Sequence, residues 1–137
     1  MPALIARILD NGWFALFARV LLTFPFWGSG ISKLIDFPGA VAEMQQYGLK
    51  PATFIAILVI FTQLGGSLLV ISQRRAWAGA GALAIFTLLT IPIAHDFWNL
   101  KGEAAKFEFY VAVEHIALVG GLMLAAILSR GSKYKGS

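Results

Sequence analysis

Six side chains in a largely apolar sequence could do chemistry: the guanidinium of Arg19, the ammonium of Lys33, the amide of Gln63, the imidazoles of His95 and His115, and the carboxyl of Glu114. Their types suit hydrogen bonding and ion pairing to a small polar head group, with His95 or Glu114 able to carry a proton. They do not suit metal binding. His95-Asp96 and Glu114-His115 are adjacent pairs, which point apart on a helix, and no HxxxH or ExxH spacing occurs. The absence of cysteine excludes disulfides, thiolate ligands and a cysteine nucleophile. No phosphate loop, dinucleotide fingerprint or nucleophile elbow is present, so no catalytic residue is assigned and no cofactor is intrinsic.

The elements that must position these groups follow from composition. The 137 residues are 58% hydrophobic and 13% charged, where a soluble domain carries about 25% charged residues. A soluble bundle would give each helix a broad charged face, and the runs after Pro51 and Ala76 have none. A net charge of +4 would indicate nucleic acid if the basic residues clustered; instead they flank apolar runs singly, which reads as lipid bilayer and no nucleic acid.

Four runs reach the roughly 20 residues needed to cross the ~30 Å hydrocarbon core. They predict an all-α four-transmembrane-helix bundle, one integral membrane domain over 1–137, with helices at 13–33, 51–73, 76–96 and 107–129. Trp13, Trp27, Trp77 and Trp98 stand near their borders as interfacial anchors. Arg7, Arg74, Arg75, Arg130, Lys133 and Lys135 fall on one side of the bundle and Lys33, Lys50, Lys101 and Lys106 on the other, which places both termini in the cytoplasm. Residues 1–12 put Leu4, Ile5, Ile8 and Leu9 on one helical face, as an interfacial helix or an extension of the first span. Pro38 to Tyr47, ended by Gly48, predicts a short interfacial helix between spans one and two, and 96–106 reads as an outer loop.

On a helical wheel Arg19 shares a face with Thr23, Phe26, Gly30 and Lys33; Gln63 groups with Ala56, Gly66 and Ser67; Glu114 groups with Ala117, Gly121 and Ala125. If the three faces converge, Arg19 and Glu114 differ in depth by less than about 10 Å. Two readings stay open. Arg19 and Glu114 form an ion pair that fixes helix register with Gln63 as a partner, or Arg19, Lys33, Gln63, His95 and Glu114 line a ligand pocket opening beside Lys33, Glu43, Tyr47 and His95. His115 then faces a neighbouring subunit or lipid headgroups. Gly65-Gly66 and Gly120-Gly121 read as helix-packing contacts.

The run Arg19-(10)-Gly30-Ile31-Ser32-Lys33-Leu34, then Tyr47-Gly48-Leu49-Lys50-Pro51, Gln63-Leu64-Gly65-Gly66-Ser67-Leu68-Leu69, Arg74-Arg75 and His95-Asp96-Phe97-Trp98 together resemble the DoxX family of small four-helix membrane proteins, over roughly 13 to 126. The resemblance implies a multi-pass protein of a bacterial or archaeal cytoplasmic (inner) membrane. It also implies quinone-linked electron transfer, since one branch is similar to a subunit of thiosulfate:quinone oxidoreductase and other members are associated with oxidative-stress complexes. The expected partners are a redox subunit or a second copy of the chain, with a quinone or small apolar ligand. Gln63 departs from the family pattern, where many members carry an acid before Leu-Gly-Gly; Glu114 is the acid available in its place. The contrasting expectation is a non-catalytic membrane scaffold or small-solute carrier.

Overall fold

The computed structural model describes residues 1–131, and every described element is helical. They are α1 (Ala3–Leu9), α2 (Gly12–Ile35), α3 (Phe37–Gln46), α4 (Ala52–Ile71), α5 (Ala76–Ala94), a single 3-10 turn (Phe97–Asn99) and α6 (Gly102–Gly131). Four of these, α2, α4, α5 with its following turn, and α6, are long and apolar enough to cross a membrane. The outside of the bundle is correspondingly greasy: Phe17, Phe61, Leu68, Ile85, Ile116 and Leu124 are all exposed, the arrangement a hydrocarbon solvent requires.

Local chemistry sets the boundaries. The Asn11 side chain accepts from the backbone N–H groups of Trp13 (2.8 Å) and Phe14 (3.2 Å), capping α2. Asp36 does the same for Gly39 at the start of α3, with a proline in its first turn, and Gly48 at φ +71° turns the chain away after it. The predicted short helix is therefore present. Its inner side buries Ala40 and Met44 against Ala56 of α4. Gln73 and Arg75 both adopt left-handed backbone (φ 58° and 54°) in the tight turn between α4 and α5.

The expected outer loop over 96–106 is corrected. Only 95–101 connects α5 to α6, and α6 already starts at Gly102. Glu103 in the first turn faces the positive end of the helix dipole, and the following Ala-Ala-Lys are strong helix formers. Trp98 mixed with charges and Gly102 had suggested a loop there. Trp27 is also not a border anchor: its indole N–H donates to the Val20 carbonyl (3.1 Å) within α2.

The helices run antiparallel in the order α2, α4, α5, α6, each packed on the next, and α2 meets α6 only sparsely. One end, called here the near end, holds α1, the α4–α5 turn and the end of α6; the far end holds α3 and the α5–α6 connection. Phe26, Val70, Ala80, Leu83 and Leu122 form the core between them. Glycine closes particular gaps: Gly121 packs against Leu22 and Gly66 against Leu83, whereas Gly65 and Gly120 face open space and carry no packing.

Two contacts set the vertical register. Arg19 Nε donates to the carbonyl of Ile71, the last residue of α4 (3.2 Å), so Arg19 lies at the near end of the α4–α5 hairpin. His95, which caps α5, meets both Glu108 and His115, so that stretch of α6 lies at the far end. The two levels are separated by the length of α5, 19 residues, or about 28 Å. As a result α2 overshoots the hairpin at the near end and α6 overshoots it at the far end.

Candidate functional site

A cavity of about 500 Å³ opens at the far end and is walled by α2, α3, α4, α5 and α6. Its deep part is apolar apart from Thr87, whose hydroxyl is spent on the Leu83 carbonyl (2.7 Å), and one amide. Gln63, eleven residues along α4 from Ala52 and so about 16 Å below its start, is 5% exposed, and its Oε1 is buried without a hydrogen-bond partner. Turning the amide over would only exchange which of its polar atoms is left short. Such a group is costly unless something entering the cavity satisfies it.

Polar groups ring the upper wall. Lys33 Nζ lies 2.9 Å from Glu43 Oε2 and donates to Ser29 Oγ at 3.2 Å, tying α2 to α3. The Tyr47 hydroxyl is held above the ordinary phenol pKa of 10.0 by burial, then by the negative charges of Glu43 and Glu108, so it stays a donor at neutral pH. His95 Nδ1 lies 2.6 Å from Glu108 Oε2. A carboxylate accepts, so Nδ1 carries the proton and Nε2 of the neutral ring is the free acceptor. His115 Nδ1 lies 2.9 Å from the Val111 carbonyl, which fixes the same tautomer by the same reasoning. The two imidazoles meet edge to face with centroids 4.7 Å apart.

Of the five residues expected to bind a ligand, the structure brings Lys33, Gln63 and His95 into this cavity. Arg19 and Glu114 are elsewhere. Arg19 lines a smaller cavity of about 270 Å³ at the near end, and Glu114 is exposed on the outer side of α6 between Val113 and Ile116. The expected Arg19–Glu114 convergence is therefore not formed: Arg19 faces the near-end cavity, Glu114 faces outward, and the Leu22–Gly121 contact between them puts the two about 15 Å apart in level. At the far end the inward face of α6 carries Glu108, Ala112 and His115; of the expected stripe, Glu114 and Ala117 are exposed, while Gly121 and Ala125 turn inward around the near-end cavity. His115, expected to point outward, is in the cavity wall.

Glu108 was missed. It stands seven residues before His115, two helical turns on one stripe, and that spacing is the sign that could have found it. Glu43 and Tyr47 had been placed at this end without a binding role. What the arrangement offers is an apolar slot with hydrogen-bond donors at Lys33 and Tyr47, acceptors at Gln63 and the two imidazoles, and a His–carboxylate pair able to take up and hold a proton. Among the described residues no group of three or more His, Asp or Glu is placed to hold a metal ion.

Comparison with known proteins agrees with the fold. The chain is 24% identical over 117 residues to inner membrane protein YphA of Escherichia coli (strain K12), covering 85% of this chain and 84% of that protein. No solved structure matches the chain significantly. The DoxX family model matches residues 14–96, which takes in most of α2, all of α3 to α5 and the Lys33, Gln63 and His95 positions of the cavity, and this membrane-spanning chain belongs to the DoxX family.

Proposed function

We propose that this chain is the membrane subunit of a quinone-linked oxidoreductase of the bacterial inner membrane, and that the far-end cavity takes a quinone or a similarly apolar carrier. The observation that carries this reading is the pairing of Gln63, whose buried Oε1 has no partner, deep in the cavity with His95 on the wall above it, itself hydrogen-bonded to Glu108 behind it. An amphiphilic ring compound matches that division, since its apolar body replaces lipid or empty space while its oxygens meet the polar groups.

The residues present fit such a group. A bound quinone supplies a two-electron, two-proton couple, and the flavin, haem or metal that exchanges electrons with it belongs to a partner subunit. Lys33 and Tyr47 donate to an oxygen acceptor. Gln63 Oε1 accepts from a hydroxyl. Nε2 of His95 takes a proton while Glu108 stabilises the resulting imidazolium through Nδ1, as a carboxylate does beside a catalytic histidine. The apolar wall of Phe26, Ile55, Val59 and Phe86 keeps water from the floor. In this reading both termini are cytoplasmic and the cavity opens to the outer face.

Mass spectrometry of the gently purified protein tests the proposal, followed by titration with a short-chain quinone. Retained quinone above the level carried by an unrelated four-helix membrane protein is expected. Gln63→Leu and His95→Ala should each weaken binding by up to about tenfold, one hydrogen bond's worth. Baseline quinone in the wild type, with no saturable titration, would overturn the redox reading in favour of a scaffold or small-solute carrier.

A further inference from the structure

The near end carries a different chemistry from the far-end cavity. Of the chain's seven acidic residues, only Asp10 lies there; Asp36, Glu43, Asp96, Glu103, Glu108 and Glu114 all belong to the far end. Basic residues at the near end include Arg7, Arg19, Arg74, Arg75 and Arg130. Two of them are gathered into one groove. Arg75 immediately precedes α5, Arg130 lies in the last turn of α6, and the groove between them is completed by Gln73, Trp77 and Ser129. Among the described residues neither arginine forms an ion pair.

The backbone of this turn is unusual. Gln73 and Arg75 both hold left-handed conformations that non-glycine side chains rarely adopt, and both line the groove. Trp77 is exposed at the groove's rim, where an indole suits the boundary between headgroups and hydrocarbon. Gln73, Ala76 and Ser129 also wall the smaller cavity beside it. That cavity fills the sparse α2–α6 contact with Leu22, Val70, Leu124 and Leu128, and Arg19 stands at its edge. An arginine-lined groove thus continues into an apolar cleft of about 270 Å³.

We infer that this composite groove is a binding site for one anionic phospholipid, its phosphate between Arg75 and Arg130 and an acyl chain in the α2–α6 cleft. A basic pocket between transmembrane helices is the recognised chemistry for such headgroups. The planar guanidinium fork suits a phosphodiester better than an ammonium would. A free phosphate would use the arginines and leave the adjoining cleft unfilled, so the apolar continuation favours the lipid.

Native mass spectrometry of the full chain in detergent, titrated with phosphatidylglycerol or phosphatidylcholine, tests the site. One phosphatidylglycerol should be retained in preference to phosphatidylcholine. Arg75→Gln or Arg130→Gln should weaken that retention roughly fivefold each and the double variant roughly thirtyfold, the share expected of each basic side chain against an anionic headgroup. Arg7→Gln with Arg74→Gln, which removes equal charge from the same end outside the groove, should leave it unchanged. Ala125→Phe fills the cleft and should displace the lipid while the thermal transition stays cooperative; if that variant does not fold, the arginine variants decide the matter. Equal retention of the two lipids, equal loss in the Arg7 and Arg74 control, or competition by inorganic phosphate as effective as by the lipid would each overturn the assignment.

Discussion

Gly66 and Gly79 face each other across the α4–α5 contact: a methyl carbon built on Gly79 would stand 2.6 Å from the Gly66 carbonyl oxygen and 2.7 Å from Leu69 Cβ. Backbone against backbone leaves nothing flexible to yield. Gly79→Ala must push two helices apart and should lower stability by about 1–3 kcal/mol, the usual cost of overpacking. Gly65→Ala and Gly81→Ala meet open space, and their thermal transitions in detergent should match the wild type. Equal losses for all three would show that helix rigidity, not approach, is what these glycines provide.

Arg19 and Glu114 should behave as independent residues. One faces the near-end cavity and the other faces outward, which leaves no shared partner, so a double-mutant cycle of Arg19→Met and Glu114→Leu should be additive within about 0.5 kcal/mol. Arg19→Met alone should destabilise, since it removes the donor that meets the Ile71 carbonyl. Coupling between the two substitutions in thermal unfolding would contradict these inward and outward orientations.

His95 and Glu108 should by contrast be coupled. Their 2.6 Å hydrogen bond closes the α5–α6 connection over the cavity, and a bond to a charged group is worth about 1.5–3 kcal/mol. The cycle built from His95→Ala and Glu108→Gln, read by the same unfolding measurement, should recover a coupling of that order. Additivity would mean that solvent or another residue replaces the bond at no loss.

Tyr47 gives a pH dependence whose sign is fixed. Its folded pKa is raised above 10.0 by burial, then by Glu43 and Glu108, so the folded state favours the protonated phenol. This contribution to stability is complete below pH 10 and is lost as pH rises through the folded pKa. Ultraviolet titration of tyrosinate, with Tyr47→Phe subtracted as the blank, should show ionisation above the ordinary phenol value, and Glu43→Gln should bring it down. An unchanged curve in Glu43→Gln would remove Glu43 as a cause.

Much of the fold was legible because its causes are local. Run length marked the four spans, and the Pro38 to Gly48 punctuation marked α3. Lys33 and His95 could be placed at one end because both stand at helix borders. Rotation and height were harder to read. α6 is apolar on most of its circumference, so its periodicity did not separate the Glu108–His115 stripe from the Glu114–Gly121 stripe; the small residues Gly121 and Ala125 do turn inward at the near end, but Glu114 on the same stripe does not. Arg19 could not be levelled from sequence either, because its partner is a backbone carbonyl on another helix, which no side-chain pattern announces. Gln63 was singled out as a polar residue in an apolar run, but that its oxygen lacks a partner is a property of packing alone.

The unequal helix lengths have a consequence for the surrounding lipid. The α4–α5 hairpin, with 20 and 19 residues, matches a hydrocarbon core of about 30 Å without tilt. At 24 and 30 residues, α2 and α6 have length to spare and overshoot in opposite directions. The α2 overshoot, residues 12–18, is apolar and can meet a thicker bilayer, whereas the α6 overshoot carries Glu103, Lys106 and Glu108 and cannot, so hydrophobic mismatch falls on the hairpin's two ends. Those ends are the Arg19–Ile71 contact and the His95–Glu108 bond, which makes bilayer thickness a mechanical input to both cavities of the bundle.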